Sequence, residues 1–445
     1  MENKWRQDRK KELFLIEQRA IKLWFDKITL LLFTWNLSVL ILIIFKNIES
    51  TSLRTWNINY GDFARTDIFY VIALNNFSNP YEYHPELPQI SIVNYLPLPF
   101  MITKLLGLKA VETWDKLSIQ PTLYIFFCMV LLSAIIYSSM KKYSFRSKVL
   151  YTITYGILTV PSLLIFSTGN IQAIITFAVF VGFSTVNKLN KTQSIKRFFS
   201  FVIVGSSKPH FLIANIIGYV DNKSIKLKEF ILAFFATILL SLWGFAIFSG
   251  GLFNNLKYFY KSLFGFTSPN PNYLVHFNDS LIGNLLAIEA VLNPASLQKS
   301  LVIQYQNLII MTYLLCTCII AVSLLKNSAP KWLLLWIVGG LAAVLIPVSY
   351  AYNYTLFLIP LGLLLQDVSS ENKQTSALFK SSVNRLLFGL ALFLAFSPKY
   401  GYISLIPNVA DTRVYSLLSS FSHMFVLIIG VNFLISRKTR IKQAI

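Results

Sequence analysis

The chain reads as an all-α, polytopic transmembrane helical bundle with about 10–12 spans and further helices lying against its outer face. Three observations predict this class. Charged residues make up 13% of the chain and hydrophobic ones 55%, where a soluble domain carries about 25% charged residues, and mean hydropathy is +0.58. Apolar runs of roughly 18 residues or more recur along the whole chain, the length that crosses a bilayer core as a helix. Lys and Arg gather in the polar stretches between those runs, as they do in loops held on the cytoplasmic side.

In chain order, residues 1–27 ("MENKWRQDRKKELFLIEQRAIKLWFDK") are charged, mixed in sign and too long for the leader of a cleaved signal. They read as a cytoplasmic amphipathic lead, with Trp5, Phe14, Leu15 and Ile16 on one side. The transmembrane domain occupies 28–435, with spans near 28–46, 119–140, 148–166, 169–187, 229–249, 301–325, 332–350, 351–366, 384–397 and 414–435. Residues 436–445 form a basic cytoplasmic tail. The intervening basic stretches include "KKYSFRSK" at 141–148, "NKLNKTQSIKR" at 187–197 and "DNKSIKLKE" at 221–229. Holding all of them on one side requires an even number of crossings between each consecutive pair.

Two apolar segments break that rule. "NYLPLPFMITKLLGL" (94–108) is short and interrupted by proline, so it reads as a helix in or dipping into the outer interface. "FFSFVIVGSSKPHFLIANIIGYV" (198–220) is broken at Gly205-Ser206-Ser207-Lys208-Pro209. Two half-length arms entering from the cytoplasmic side would carry Lys208 toward the outer leaflet, and a broken backbone at that depth needs protein or water around it. Two long loops then face outward, about 47–118 and 250–300. They hold most of the polar and aromatic variety.

The net charge of +21 follows from the cytoplasmic basic loops and does not point to nucleic acid. The three cysteines, Cys128, Cys316 and Cys318, sit in apolar runs, so neither a disulfide framework nor a metal site is indicated. The spans hold almost no acids or histidines, which argues against a proton relay or ion path. No phosphate-cradling glycine loop, zinc spacing or nucleophile elbow is present.

Several polar residues stand out against this background. Asp62 precedes the helix-like spacing Ile68, Phe69, Val71, Ile72 and Leu74, so it can cap a helix or act as a base; Asp67 falls inside that helix. Tyr81, Tyr83 and His84 belong to a turn-rich segment and can line a sugar or lipid site or anchor the interface. Lys208 interrupts an apolar segment, where a charge is by default a functional candidate and snorkelling is the competing account. His210 follows it and reads as packed and neutral. Asn278-Asp279-Ser280 precedes Leu281–Leu292 and looks like a helix start.

Taken in order, these pieces resemble glycosyltransferase family 87, the GT-C-type mannosyltransferases that use polyprenol-phosphate mannose. "GDFARTDIFYVIALNNFSNPY" followed by "NYLPLPFMITKLLG" is similar to that family's first outer loop. "STGNIQAIITFAVF", "SSKPHFLIANIIGYV", "FNDSLIGNL" and "SYAYNYTLFLIPLGLLL" are similar to its later motifs, so the likeness covers about residues 55–366. The chain departs at Asp279, where the family more often has Gln, and at Asn170, where it often has Gly-Gln. Both departures bear on donor or acceptor identity more than on reaction type.

The resemblance implies a multi-pass enzyme of the bacterial cytoplasmic membrane, with its N-terminus inside and its site outside. It would move a sugar, in the family usually mannose, from a polyprenyl-phosphate donor to an acceptor glycan or glycolipid of the cell envelope, with inversion. Asp62 would be the general base and Asp67 its runner-up, with Lys208 and Arg65 at the donor phosphate. Tyr81, Asn170, Gln172, His210, Asn278, Asp279, Ser280 and Tyr352 would contact substrate. No metal site is implied, and whether a divalent metal takes part stays open. Two other classes remain. A lipid-linked saccharide flippase predicts a polar central cavity and repeat-related halves, neither visible in the sequence. A polysaccharide polymerase or ligase favours a basic second loop, whereas residues 262–298 hold no Lys or Arg and one histidine, His276.

Overall fold

A computed structural model describes residues 2–46, 79–81, 96–105, 119–168, 170–183, 191–221, 224–267, 280–292, 300–345, 351–397 and 418–444. With so few charged groups, the backbone must satisfy its own hydrogen bonds, and among the described residues it does so almost wholly as helices. The first, α1 (Glu2–Lys46), is 45 residues long, about 68 Å at the α-helical rise. The short α2 (Leu98–Leu105) precedes α3 (Ile119–Ser139). α4 (Phe145–Tyr151) starts at Ser144, whose Oγ accepts from the Ser147 amide at 3.3 Å. It continues as a π-helical turn, Thr152–Ile157, and resumes after a bend as α5 (Val160–Thr168).

α6 (Gln172–Phe183) and α7 (Lys191–Gly205) follow, then a 3₁₀ turn (Pro209–Phe211) and α8 (Leu212–Gly218). Antiparallel strands β1 (Val220–Asp221) and β2 (Ser224–Ile225) pair Val220 with Ile225 and Asp221 with Ser224. α9 (Leu227–Ile247) turns into α10 (Gly251–Thr267) through Gly250 and Gly251, both at positive φ (95° and 72°), where a side chain would be strained. α11 (Leu281–Leu292), α12 (Leu301–Gln304), α13 (Gln306–Lys326) and α14 (Lys331–Val344) come next. A 3₁₀ helix (Ala351–Phe357) runs into α15 (Leu358–Ser369), followed by α16 (Lys373–Phe379), α17 (Ser382–Phe396) and α18 (Ser420–Ala444).

The molecule is a multi-pass membrane protein. Among the described residues, four stretches are long and apolar enough to cross a bilayer: Lys11–Ile41, Leu227–Ile247, Gln306–Lys326 and Ser420–Thr439. α16 and α17, bent by 92°, make a fifth if taken as one span. α3 is also 21 residues long, whereas α6 and α14 are described over 12 and 14 residues, and they differ from α9 and α13 in burial. Only 11% of the apolar window of α13 and 22% of that of α9 are buried. On α13 the residues Leu308, Met311, Leu315, Ile319 and Val322 form one exposed stripe at helical spacing. Such faces meet lipid, where every backbone group must be paired within its own helix. α14 is instead buried on nearly all sides, from Trp332 through Val344, and α6 is largely buried too. Surrounded by protein, a helix does not meet the lipid that forces unbroken backbone pairing.

The core gathers aromatic rings around α14. Trp332 stacks on Phe379 (5.8 Å between centroids) and Trp336 on Phe357 (5.0 Å), while Phe388 meets both tryptophans edge-on. Each such pair adds roughly 0.5–1.5 kcal/mol beyond its buried area. Trp332 Nε1 donates to Thr375 Oγ1 (3.0 Å), which donates to Asp367 Oδ2 (2.8 Å). α1 joins this core through Phe25 against Phe379, through Gln18 donating to Ser376, and through the Glu17–Lys380 ion pair at 2.7 Å. The division at residue 27 drawn from charge is therefore not a break in structure: the lead and the first span are one helix.

Candidate functional site

The interruption at 205–209 is a folded-back helical hairpin. α7 ends at Gly205, and the Ser206 and Lys208 amides still reach the carbonyls of Val202 (2.9 Å) and Val204 (2.9 Å). Pro209, with no amide hydrogen to satisfy, then starts the 3₁₀ turn that reverses the chain into α8. The two arms run side by side: Ser200 Oγ donates to Asn215 Oδ1 at 3.1 Å, and Arg197 Nη1 donates to the Gly218 carbonyl at 3.0 Å. At the open end Arg197 lies 3.6 Å from Glu229, which also accepts from Ser194 Oγ at 3.1 Å. Gly205 lets α9 come close to the tip, since a Cβ there would stand 2.5 Å from Thr237 Cγ2.

Lys208, at the tip, is 4% exposed, an unusual state for lysine. Its Nζ donates to Asn170 Oδ1 at 3.5 Å. The same oxygen accepts the Gln172 backbone amide at 2.9 Å, so Asn170 caps the N-terminus of α6 while holding the ammonium. The Asn170 carbonyl accepts from Tyr124 of α3 at 3.4 Å. Three sequence-predicted site residues, Lys208, Asn170 and Gln172, thus meet around one oxygen. The Gln172 side chain is fully buried and neither its Nε2 nor its Oε1 has a hydrogen-bond partner; the Ser206 hydroxyl is likewise buried and unpartnered. One turn further along α6, Thr176 pairs with Thr355 of the 3₁₀ helix at 3.0 Å.

The proline-interrupted segment docks on this tip through its backbone. The Leu96 and Leu98 amides donate to the Ser207 and Ser206 carbonyls at 3.1 and 3.3 Å. Pro97 packs over Gly244 of α9 so closely that a Cβ there would also stand 2.9 Å from Met101 Sδ. The described part of this segment, α2, is eight residues long, too short to cross a bilayer by itself.

Tyr81 follows an Asx turn, its amide donating to Asn79 Oδ1 at 3.0 Å, and its ring is buried among Phe100, Phe245, Phe248 and Phe259. The ring therefore packs the segment ahead of α2 into the protein core, where the sequence offered a substrate-lining or an interfacial role. His210 keeps exposed surface, with its ring 4.2 Å from that of Phe211, whereas the sequence suggested a packed histidine. Ser280 caps α11, accepting the Gly283 amide at 3.1 Å, and its carbonyl accepts from Asn284 Nδ2 at 2.8 Å. Tyr352 lies in the 3₁₀ helix, its side chain outside the described set. Asp62, Arg65, Asp67, Tyr83, His84, Asn278 and Asp279 lie outside the described residues.

Sequence reasoning missed two polar groupings. Ser206 was visible only as part of "GSSKP", where small residues signal a break and not a ligand. His423 of α18 is fully buried: its Nε2 faces the Ile337 carbonyl at 2.6 Å and its Nδ1 faces Tyr313 Oη at 2.6 Å. Because a carbonyl can only accept, Nε2 carries the hydrogen and Nδ1 of the neutral ring accepts from Tyr313. The ring ties α13, α14 and α18 together. Among the described residues no three His, Cys, Asp or Glu side chains gather as metal ligands, and the three cysteines are unbridged. No family model, curated protein or solved structure matches the chain.

Proposed function

We propose that the protein is a GT-C-type glycosyltransferase that moves a sugar from a polyprenyl-phosphate donor to an acceptor hydroxyl at the extracytoplasmic membrane face. The observation that supports this reading is the buried Lys208 ammonium, held by Asn170 at the tip of a folded-back hairpin with the 96–98 backbone clamped against it. A cation fixed inside an apolar protein is suited to an anionic headgroup whose tail stays in the bilayer. The N-terminus of α6 beside it adds a favourable dipole for phosphate.

In the reaction the acceptor oxygen attacks the anomeric carbon as Asp62 takes its proton. The bond from that carbon to the phosphate oxygen breaks, and polyprenyl phosphate leaves with the electron pair. Attack opposite the leaving group inverts the centre, by analogy with inverting glycosidases. General-base help of this kind contributes about 10²–10⁴-fold. Lys208 balances the charge that grows on the departing phosphate. Asp62 and Arg65 take their roles from the family resemblance, and mannose is the donor sugar that resemblance favours.

The test is transfer of labelled sugar from polyprenyl-phosphate donors in membranes holding the wild type, Asp62→Asn or Asp67→Asn. Wild-type rates in folded Asp62→Asn protein would remove it as the base, and loss in Asp67→Asn alone would move the role there. Re-entrant half-helices also occur in transporters. Movement of a labelled lipid-linked glycan with no covalent product would therefore favour the flippase reading.

A further inference from the structure

Buried polar groups in folded proteins are almost always paired, so those left open need a reason. Two of them flank the Lys208–Asn170 contact. The Gln172 amide, two residues after Asn170, and the Ser206 hydroxyl, two residues before Lys208, are both fully buried and both without partners. Gln172 is fixed where it stands, because its backbone amide is bonded to the same Asn170 oxygen that receives the lysine. Ser206 is fixed too, its carbonyl taken by Leu98 and its amide by Val202. The backbone of both residues is thus committed while their side chains hold unused donors and acceptors. A primary amide offers two donors and an acceptor oxygen, and a hydroxyl offers one donor and two lone pairs. Neither carries charge.

We propose that Gln172 and Ser206 form a subsite that reads the hydroxyl groups of an uncharged sugar ring bonded to the phosphate that Lys208 holds. This rests on the donor reading above and adds a division of labour to it. Lys208 and the start of α6 take the phosphate, common to every polyprenyl-phosphate donor. Gln172 and Ser206 take the ring, which differs between donors. A neutral donor-and-acceptor pair matches hydroxyls, each of which also donates and accepts, and a site built to hydrogen-bond hydroxyls discriminates strongly against a ligand lacking them.

The experiment measures binding of two short-chain lipids to full-length protein in nanodiscs: polyprenyl phosphate, and polyprenyl-phosphate mannose. Gln172→Leu and Ser206→Ala are each expected to weaken the mannose-bearing lipid about tenfold or more and to leave the bare phosphate lipid unchanged. Lys208→Met is expected to weaken both lipids by a similar factor. Thermal unfolding is the control for fold: removing an unpaired buried amide should hold or raise the Tm of Gln172→Leu, which a purely structural glutamine would not do. Equal weakening of both lipids by Gln172→Leu, or no change in either, overturns the sugar subsite while leaving the donor reading in place. Wild-type protein that binds neither lipid overturns both.

Discussion

Replacing Lys208 by methionine isolates the charge on which the functional reading depends. Methionine keeps most of the unbranched stem and removes the ammonium, so packing at the hairpin tip changes little. The lysine is 4% exposed and its Nζ stands 3.5 Å from Asn170 Oδ1. A phosphate oxygen about 4 Å from that nitrogen gains roughly 4 kcal/mol at an effective dielectric constant near 20. Part of that gain is already made with the bound donor, and part appears only as charge grows on the leaving phosphate. Removing one fixed donor from a developing oxyanion lowers kcat by about 10²–10³-fold, and a loss in this range is expected for Lys208→Met. The fold should not suffer in step, because methionine keeps the packing of the stem and avoids the cost of taking an ammonium out of water. The assay pairs turnover of labelled donor in membranes with thermal unfolding of purified protein. Turnover at the wild-type rate in a folded variant would refute the role of Lys208. A fall in Tm matching the fall in rate would show instead that the lysine holds the hairpin together.

Of the other predictions, the first follows from the family resemblance and the rest from the geometry. Asp62→Asn should lower transfer by about 10²–10⁴-fold, with Asp67→Asn much milder, measured by product formation under saturating donor. Gly244→Val should push Pro97 and Met101 off α9 at a cost of about 1–3 kcal/mol, seen as a lower Tm and as faster protease cleavage of the 96–105 segment. Asp367, past the predicted span 351–366, is raised by burial to about 6, partly opposed by hydrogen bonds from Thr375 and Asn372. The folded protein therefore holds more protons there than the unfolded chain between about pH 4 and 6, and stability falls as pH rises through that window. Asp367→Asn should accordingly stabilise the protein at pH 7 by on the order of 1–3 kcal/mol and lose that advantage below about pH 4, checked by Tm against pH.

Several features were readable from local sequence because their causes are local. Pro209 disfavours helix at the residue before it, and glycine and two serines weaken the turn ahead of it, so the hairpin break was visible in five residues. Ser280 ahead of an apolar run announced a cap, and it is one. Pro97 and Pro99 marked the start of a short helix, and α2 begins at Leu98 between them. The packed reading of His210 failed because a turn residue's direction depends on how the chain reverses there, which composition does not encode. Which helices face lipid was not legible either. Hydropathy scores removal from water and cannot tell a helix facing lipid from one enclosed by protein, although only the first must be unbroken.

The sequence by itself determined that this is a helical membrane protein with a broken, lysine-bearing hairpin, since apolar run length and backbone-breaking residues act within a few positions of themselves. The tertiary structure decided what that lysine meets. Asn170 lies 38 residues away, and only the reversal of α7 into α8 against α6 brings the two together. It also decided which polar groups remain open, because whether Gln172 and Ser206 find partners depends on every neighbour that packs around them.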